Sequence, residues 1–399
     1  MQIHATTPSR KPVLILDGGF GTTLEDVFHQ DISMPLWSAR PIEDNPELII
    51  AAHLAFLRAG ADVILTSTYQ CAFQTFERSG YTREDGVRIL RKAVLLATEA
   101  RRQYKEEGAP DDTSTGFSGT AHVRDIKIAL SLGPFGATLS PAQEFDGFYP
   151  PPYGPKGLSQ EGGNYNAFPD SDDGKAQEEK AVAALTAFHL ERLRALVGDV
   201  ETWAAIDFVA FETVPLVREI RAIRHALELL VQEHGASAAK PWWISTVYPG
   251  GRFPQERSPG GGRLTVREVV EAVMGEDGPG APQSPTPWGL GVNCTEPQFI
   301  GGLLKEMTNI LEELGNTAGR SQSPWLVVYP NRGDVYDAAS QTWSKGTESI
   351  RQKWAVHVWA DVQKVAGSKA WSGCLIGGCC KTGPQEIAEL LRVSRSVVQ

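Results

Sequence analysis

The chain has 399 residues, 41% hydrophobic and 22% charged, with a formal net charge of −10. That acidity, with no long basic run, argues against a surface built to neutralise nucleic-acid phosphates. Five cysteines in this length argue against a disulfide scaffold and for a reducing compartment.

The N-terminus lacks a signal-peptide core, and no stretch approaches the ~20 apolar residues of a membrane helix, so a soluble cytoplasmic protein is expected. "VLILDGG" (13–19) predicts a strand ending in a glycine turn. "NPELIIAAHLAFLRAGA" (45–61) predicts a helix, with Leu48, Ala51, Ala52, Ala55 and Ala59 on one face. Asn45 is placed to cap it, and Pro46 fits the first turn. Further strands are predicted at "DVILTSTYQ" (62–70), "IKIALSLGPFGA" (126–137), "DFVAFETVP" (207–215) and "PWWISTVYPG" (241–250). "WGLGVNCTEP" (288–297), "PWLVVYPNRG" (324–333) and "GCLIGGCC" (373–380) bring the number to eight. Helical patterns follow at 175–198, 215–234, 296–314, 349–365 and 384–393.

The strand runs are apolar rather than alternating, as in a parallel sheet covered on both faces. Eight β-then-α units predict one α/β domain over 1–399, a (β/α)8 TIM barrel. The rival, an open doubly wound sheet, lacks a GxGxxG turn after the first strand. Residues 104–124, 150–175 and 249–285 read as long loop insertions whose Gly, Pro and Ser content fits mobile segments.

In such a barrel, chemistry sits at the C-terminal ends of the strands. The polar residues fall there: Asp17, the run Thr66 to Gln70, Glu212 with Thr213, Asn293 with Cys294, Tyr329 with Asn331, and Cys379 with Cys380. Three cysteines from distant segments thus converge on one rim, a donor set that suits zinc. Three ligands leave a fourth position for water or substrate, and Gly377–Gly378 give the backbone freedom that adjacent ligands require. Alternatives stand beside this: Cys294 as core, a vicinal Cys379–Cys380 disulfide, Asp17 as a turn cap. Glu212 is harder to explain structurally, because an unpaired buried carboxylate is costly. Cys71 and Cys374 read as core.

"LDGGFGTTLE", "GADVILTSTYQ", "GPFGA", "FETVP", "GVNCTEP", "YPNRGDVYD" and "IGGCCKTGPQEI" together resemble the homocysteine S-methyltransferase family. The match runs in order from Asp17 to Ile387, and the pairing of "GVNC" with a later "GGCC" is its most specific part. The resemblance implies a zinc-bearing barrel with Cys294, Cys379 and Cys380 as the Zn2+ ligands that activate the substrate thiol. It implies that Asp17 and Glu212 hold the amino-acid substrate, with Gly18, Thr68, Gln70 and Asn293 in matching strand-end segments as further contacts. Backbone amides at Gly18–Gly19 are expected to meet the substrate carboxylate, and Tyr69 or Tyr149 to face a sulfonium by cation–π attraction.

The activity implied is methyl transfer from S-methylmethionine or S-adenosylmethionine to homocysteine, forming methionine. A betaine-type donor, selenocysteine as acceptor, a zinc or thiol sensor without turnover, and a Cys379–Cys380 dithiol oxidoreductase are the competing readings. The segments after "GPFGA" and after the fifth strand depart from the family pattern, which leaves the donor contacts open. Neither nucleic acid nor membrane is expected as a partner, and the oligomeric state is not fixed by the sequence.

Overall fold

Eight parallel strands form a ring in the computed structural model, which describes residues 11–31, 36, 39–108, 124–275, 284–318, 322–337, 342–344 and 352–396. The strands are β1 (Val13–Ile15), β2 (Val63–Leu65), β3 (Lys127–Leu132) and β4 (Phe208–Val214), then β5 (Trp242–Thr246), β6 (Gly289–Asn293), β7 (Trp325–Tyr329) and β8 (Cys374–Ile376). Each pairs with its sequence neighbours, β8 pairs with β1, and a Leu16–Val63 bridge joins β1 to β2.

Eight helices alternate with them: α1 (Pro46–Ala59), α2 (Arg83–Glu106), α3 (Asp172–Val197), α4 (Val217–His234), α5 (Val266–Met274), α6 (Pro297–Ala318), α7 (Trp354–Ala366) and α8 (Pro384–Ser396). Asn45 caps α1 as expected, its side chain accepting the Leu48 N–H at 3.3 Å. Among the described residues no helix is long and apolar enough to cross a membrane.

The period of two along each strand divides the core. Ile64, Ile128, Leu130, Val209, Phe211, Ile244 and Leu326 point outward to the helices. Val63, Leu65, Ala129, Ala210, Trp243, Val327, Tyr329 and Leu375 fill the lumen. The barrel interior is therefore a packed core, and a residue of lumen parity at a strand's last position faces the rim. Glu212 shares its parity with Ala210, and Ser131 with Ala129.

Two of the expected insertions differ from that reading. Helix α5 lies inside 249–285, started by a capping box in which Thr265 and Glu268 satisfy each other's backbone N–H. The segment 150–175 is irregular up to α3, yet Asn166 ties it to its surroundings. Asn166 Nδ2 donates to Asp146 O (2.6 Å) and Pro254 O (2.9 Å), and its Oδ1 accepts Glu256 N–H (2.8 Å). The third, 104–124, begins inside α2, and its residues 109–123 lie outside the described residues.

Candidate functional site

The loops after β1 and β8 interlock at the C-terminal rim. Gly378 N–H donates to Asp17 O (3.0 Å) and Gly19 N–H to Thr382 O (2.8 Å). A side chain has no room here: a Cβ on Gly18 would stand 2.3 Å from Thr382 O, and one on Gly378 2.2 Å from Thr382 Oγ1. Gly377 and Gly378 thus serve close approach, and the left-handed residue of the turn is Lys381, at φ 63°. Lys381 is held in place by Glu25 (2.8 Å) and Asp26 (2.9 Å).

This interlock carries Cys379 and Cys380 toward Cys294 at the end of β6. Cys379 N–H is fixed to Pro330 O (2.8 Å), and Cys380 O accepts Arg332 N–H (3.1 Å). Cys294 sits at φ 46° and its neighbour across the rim, Thr213, at φ 57°; for non-glycine residues each such conformation costs roughly 1–3 kcal/mol. All three sulfurs lie within 4.8 Å of one another. Cys294 and Cys379 are joined as a disulfide with Cα atoms 5.5 Å apart, in place of the vicinal pairing considered above. Cys380 Sγ stands 3.9 Å from Cys294 Sγ and 4.0 Å from Cys379 Sγ. Metal–thiolate bonds of about 2.3 Å separate ligand sulfurs by about 3.8 Å at a tetrahedral centre, so both Cys380 spacings fit one soft ion, and the Cys294–Cys379 bond has to be reduced before those two sulfurs can join it as thiolates. Burial, with the charge of Glu144 adding to it, pushes the Cys380 thiol up to about 12, so without a metal it stays protonated.

Two buried carboxylates face this cluster's rim. Asp17 Oδ2 accepts Leu65 N–H (2.8 Å), while Asp17 Oδ1 is buried without a partner. Glu212 accepts from Ser131 Oγ and is further held by the Tyr329 hydroxyl, which also contacts Trp243 Nε1 (3.3 Å) and Ser245. Burial raises Asp17 well above the ordinary carboxyl range, with the Glu212 charge adding to it. Burial raises Glu212 to about 7 against the opposing pull of Ser131 and Tyr329. Among the described residues no side-chain cation pairs with either. Such a pair of sites suits a ligand ammonium group.

The other predicted residues divide by what their polar atoms do. Gln70 Oε1 is buried and unpartnered, like Asp17 Oδ1. Thr68 Oγ1 meets Thr66 Oγ1 and donates to Ser131 O, both at 2.6 Å. Asn293 receives Thr213 N–H (2.8 Å) and donates to Thr213 Oγ1 (2.7 Å), bracing the strained end of β4 against β6. The Gly19 amide is already bonded to Thr382, so it does not supply the expected carboxylate contact. Tyr149 lies away from the mouth: it is fully buried, its hydroxyl donating to Glu219 at 2.8 Å and its ring against Phe135. Tyr69 is half-buried beside Thr213 and within the fields of Glu144, Glu212 and Cys380.

Residue type alone did not point to Glu144, on the loop after β3. Its Oε2 is sealed from solvent with no donor, and burial, reinforced by Asp146, raises its carboxyl to about 7. The loop is anchored from behind. Glu219 accepts Phe135 N–H (2.7 Å), the Tyr149 hydroxyl (2.8 Å) and His189 Nε2 (3.0 Å). Arg192 donates to His189 Nδ1 (2.7 Å) and Gly133 O (3.0 Å), which sets the His189 proton on Nε2.

A family model described as homocysteine S-methyltransferase matches residues 14–393. Homocysteine S-methyltransferase 1 of Arabidopsis thaliana is 30% identical over 380 residues, covering 95% of this chain and 92% of its own. Selenocysteine Se-methyltransferase of Brassica oleracea var. italica is 29% identical over 375 residues, covering 94% and 86%. The homocysteine methyltransferase MmuM from Escherichia coli, solved in a metallated and an oxidized form, aligns in both with TM-score 0.63 and 25% identity over 96% of each chain.

Proposed function

Because the chain belongs to the homocysteine S-methyltransferase family, we propose that it methylates homocysteine from a sulfonium donor, S-methylmethionine ahead of S-adenosylmethionine, with Cys294, Cys379 and Cys380 holding Zn2+. One observation carries this reading: three sulfurs within 4.8 Å of one another share a rim with two buried carboxylates that no side-chain cation among the described residues offsets. When bound, the ion supplies a Lewis acid that keeps an acceptor thiol deprotonated at neutral pH, where a free thiol with pKa near 8.5 is mostly protonated.

The chain's own residues do the placing. Asp17 Oδ1 and Glu212 take the α-ammonium of homocysteine, and Gln70 Oε1 offers a further acceptor beside them. Thr68 and Asn293 act one step back, tying the end of β2 to β3 and the end of β4 to β6, and Gly18 lets the β1 loop close on the cysteine turn. In the transfer, the donor S–CH3 bond breaks with its electron pair left on the donor sulfur, which departs as a neutral thioether. The acceptor sulfur's pair forms the new S–CH3 bond, its proton having gone to solvent. A neutral leaving group needs no acid catalyst, and a rim whose buried ionisable groups are carboxylates favours a cationic donor. Proximity and alignment then account for most of what the barrel contributes.

The test is a donor panel. Reduced, zinc-loaded protein with homocysteine is offered S-methylmethionine, S-adenosylmethionine and betaine separately, and methionine is measured. Fastest turnover on S-methylmethionine is the expected result. Methionine from betaine alone would replace the sulfonium, and zinc binding with no methionine from any donor would leave a metal-binding protein without this turnover.

A further inference from the structure

We propose that Glu144 is a specificity-determining residue that reads the positive charge on the sulfur of the methyl donor; this rests on the proposed function. The loop holding it is fixed on both sides. Gly133 N–H donates to Tyr69 O (3.0 Å), Gln143 N–H to Gly136 O (2.9 Å) and Gly147 N–H to Gln143 O (2.8 Å). Glu219 grips Phe135 and Tyr149 from the helix side. The carboxylate is therefore presented by a braced loop rather than by a free surface segment.

Its Oε2 is buried with no hydrogen-bond donor, and among the described residues Glu144 has no ion pair. The residue is half-buried and its own backbone N–H bonds the carboxylate, so the unmet demand is at the sealed Oε2, where burial disfavours the charged form and a bound cation would favour it. The loop that carries it is bonded to Tyr69 through Gly133, on the C-terminal rim that also holds Cys380. The acceptor ammonium is assigned to Asp17 and Glu212. The charge left to satisfy on the Cys380 side is the donor's sulfonium.

The kinetic consequence follows from where that charge goes. Methyl transfer turns the sulfonium into a neutral thioether, so attraction to Glu144 weakens as the transition state forms. Such an anion strengthens donor binding and does not lower the chemical barrier. It also favours release of the spent thioether and rejection of uncharged look-alikes.

The experiment compares S-methylmethionine with 2-amino-5-methylhexanoate, which replaces the sulfonium by a neutral carbon and keeps the ammonium and carboxylate. Both are titrated calorimetrically into reduced, zinc-loaded wild type, Glu144→Gln and Glu144→Asp, and steady-state constants are measured alongside. In Glu144→Gln the Kd and KM of S-methylmethionine rise about tenfold or more, the size of one charged contact. The Kd of the neutral isostere and the KM of homocysteine stay within about twofold, and kcat at saturating donor does not fall. Glu144→Asp, which keeps the charge, recovers part of the preference. Unchanged S-methylmethionine affinity in Glu144→Gln, an equal loss for the isostere, or identical behaviour of Asp and Gln overturns the inference. Because the titration needs no turnover, it decides the role of Glu144 even if the donor panel fails, and a productive panel with a charge-blind Glu144→Gln leaves the proposed function standing.

Discussion

Burial raises the Glu212 carboxyl from its ordinary 4.5 to about 7, so the empty folded protein binds a proton there more tightly than the unfolded chain does. The stabilisation is full below about pH 4.5 and is lost as pH rises toward 7. Asp17 is shifted in the same direction by the same cause. Glu212→Gln is therefore expected to flatten the fall in unfolding free energy between pH 4.5 and 7, measured by urea denaturation without ligand. An unchanged slope would mean that Glu212 is ionised in the fold. The same variant should raise the KM of homocysteine, since an amide offers no charge to the ammonium. Glu212 and the three cysteines were legible in the sequence because a carboxylate or thiol ending an apolar run has few structural uses. Ser131 was legible in principle, by counting two residues on from Ala129 within a lumen-facing row, but the uniformly apolar reading of the strands hid the alternation. The left-handed backbone of Thr213 and Cys294 has no residue-type signal, because neither is a glycine or asparagine.

Helix α4 places two glutamates at its two ends, and their environments predict opposite consequences of the same change. Glu219, in the first turn, is fully buried and joins the β3 loop to α3 through Phe135, Tyr149 and His189. Glu219→Ala would strand the Phe135 N–H, the Tyr149 hydroxyl and His189 Nε2 in the interior and remove a negative charge that favours the buried Arg192 cation, and is expected to cost on the order of 3–5 kcal/mol by denaturant unfolding. Glu233, in the last turn, pairs with Arg194 while a third of its side chain is exposed. Glu233→Ala should leave the unfolding free energy close to that of the wild type, because solvent screens the exposed pair. Equal losses at the two positions would show that the buried network does not anchor the loop. Element by element, the sequence made the strands and most helices readable through apolar runs and helical spacing. It hid α5, whose "TVREVVEAVM" has both a capping signal and an apolar stripe, because Gly- and Pro-rich flanks made the whole of 249–285 read as one excursion. The contact that fastens 150–175 to the 249–265 loop depends on Asn166, a long-range pairing with no local signature.

At the scale of the whole molecule, the cysteines link β6 to β8 across β7, and the β8 turn is itself locked into the β1 loop. A metal at the three sulfurs would therefore tie neighbouring staves of the ring together at one end, in the folded chain and not in the unfolded one. Binding at a thousand times Kd adds about 4 kcal/mol to unfolding. Spread over a chain of this length, that is a rise in Tm of about 5 °C. Reduced protein freed of metal by a chelator should melt that much lower than the zinc-loaded form in scanning calorimetry, and added Zn2+ should restore it. Cys380→Ser removes a ligand without touching the strands or the lumen core, so it should abolish both the zinc-dependent shift and methyl transfer while keeping the reduced, metal-free Tm of the wild type. Zinc content is read by metal analysis on the same samples. A Cys380→Ser protein that still gains about 5 °C with zinc, or still makes methionine at the wild-type rate, would remove Cys380 from the proposed metal site and with it the proposed three-sulfur activation of the acceptor thiol.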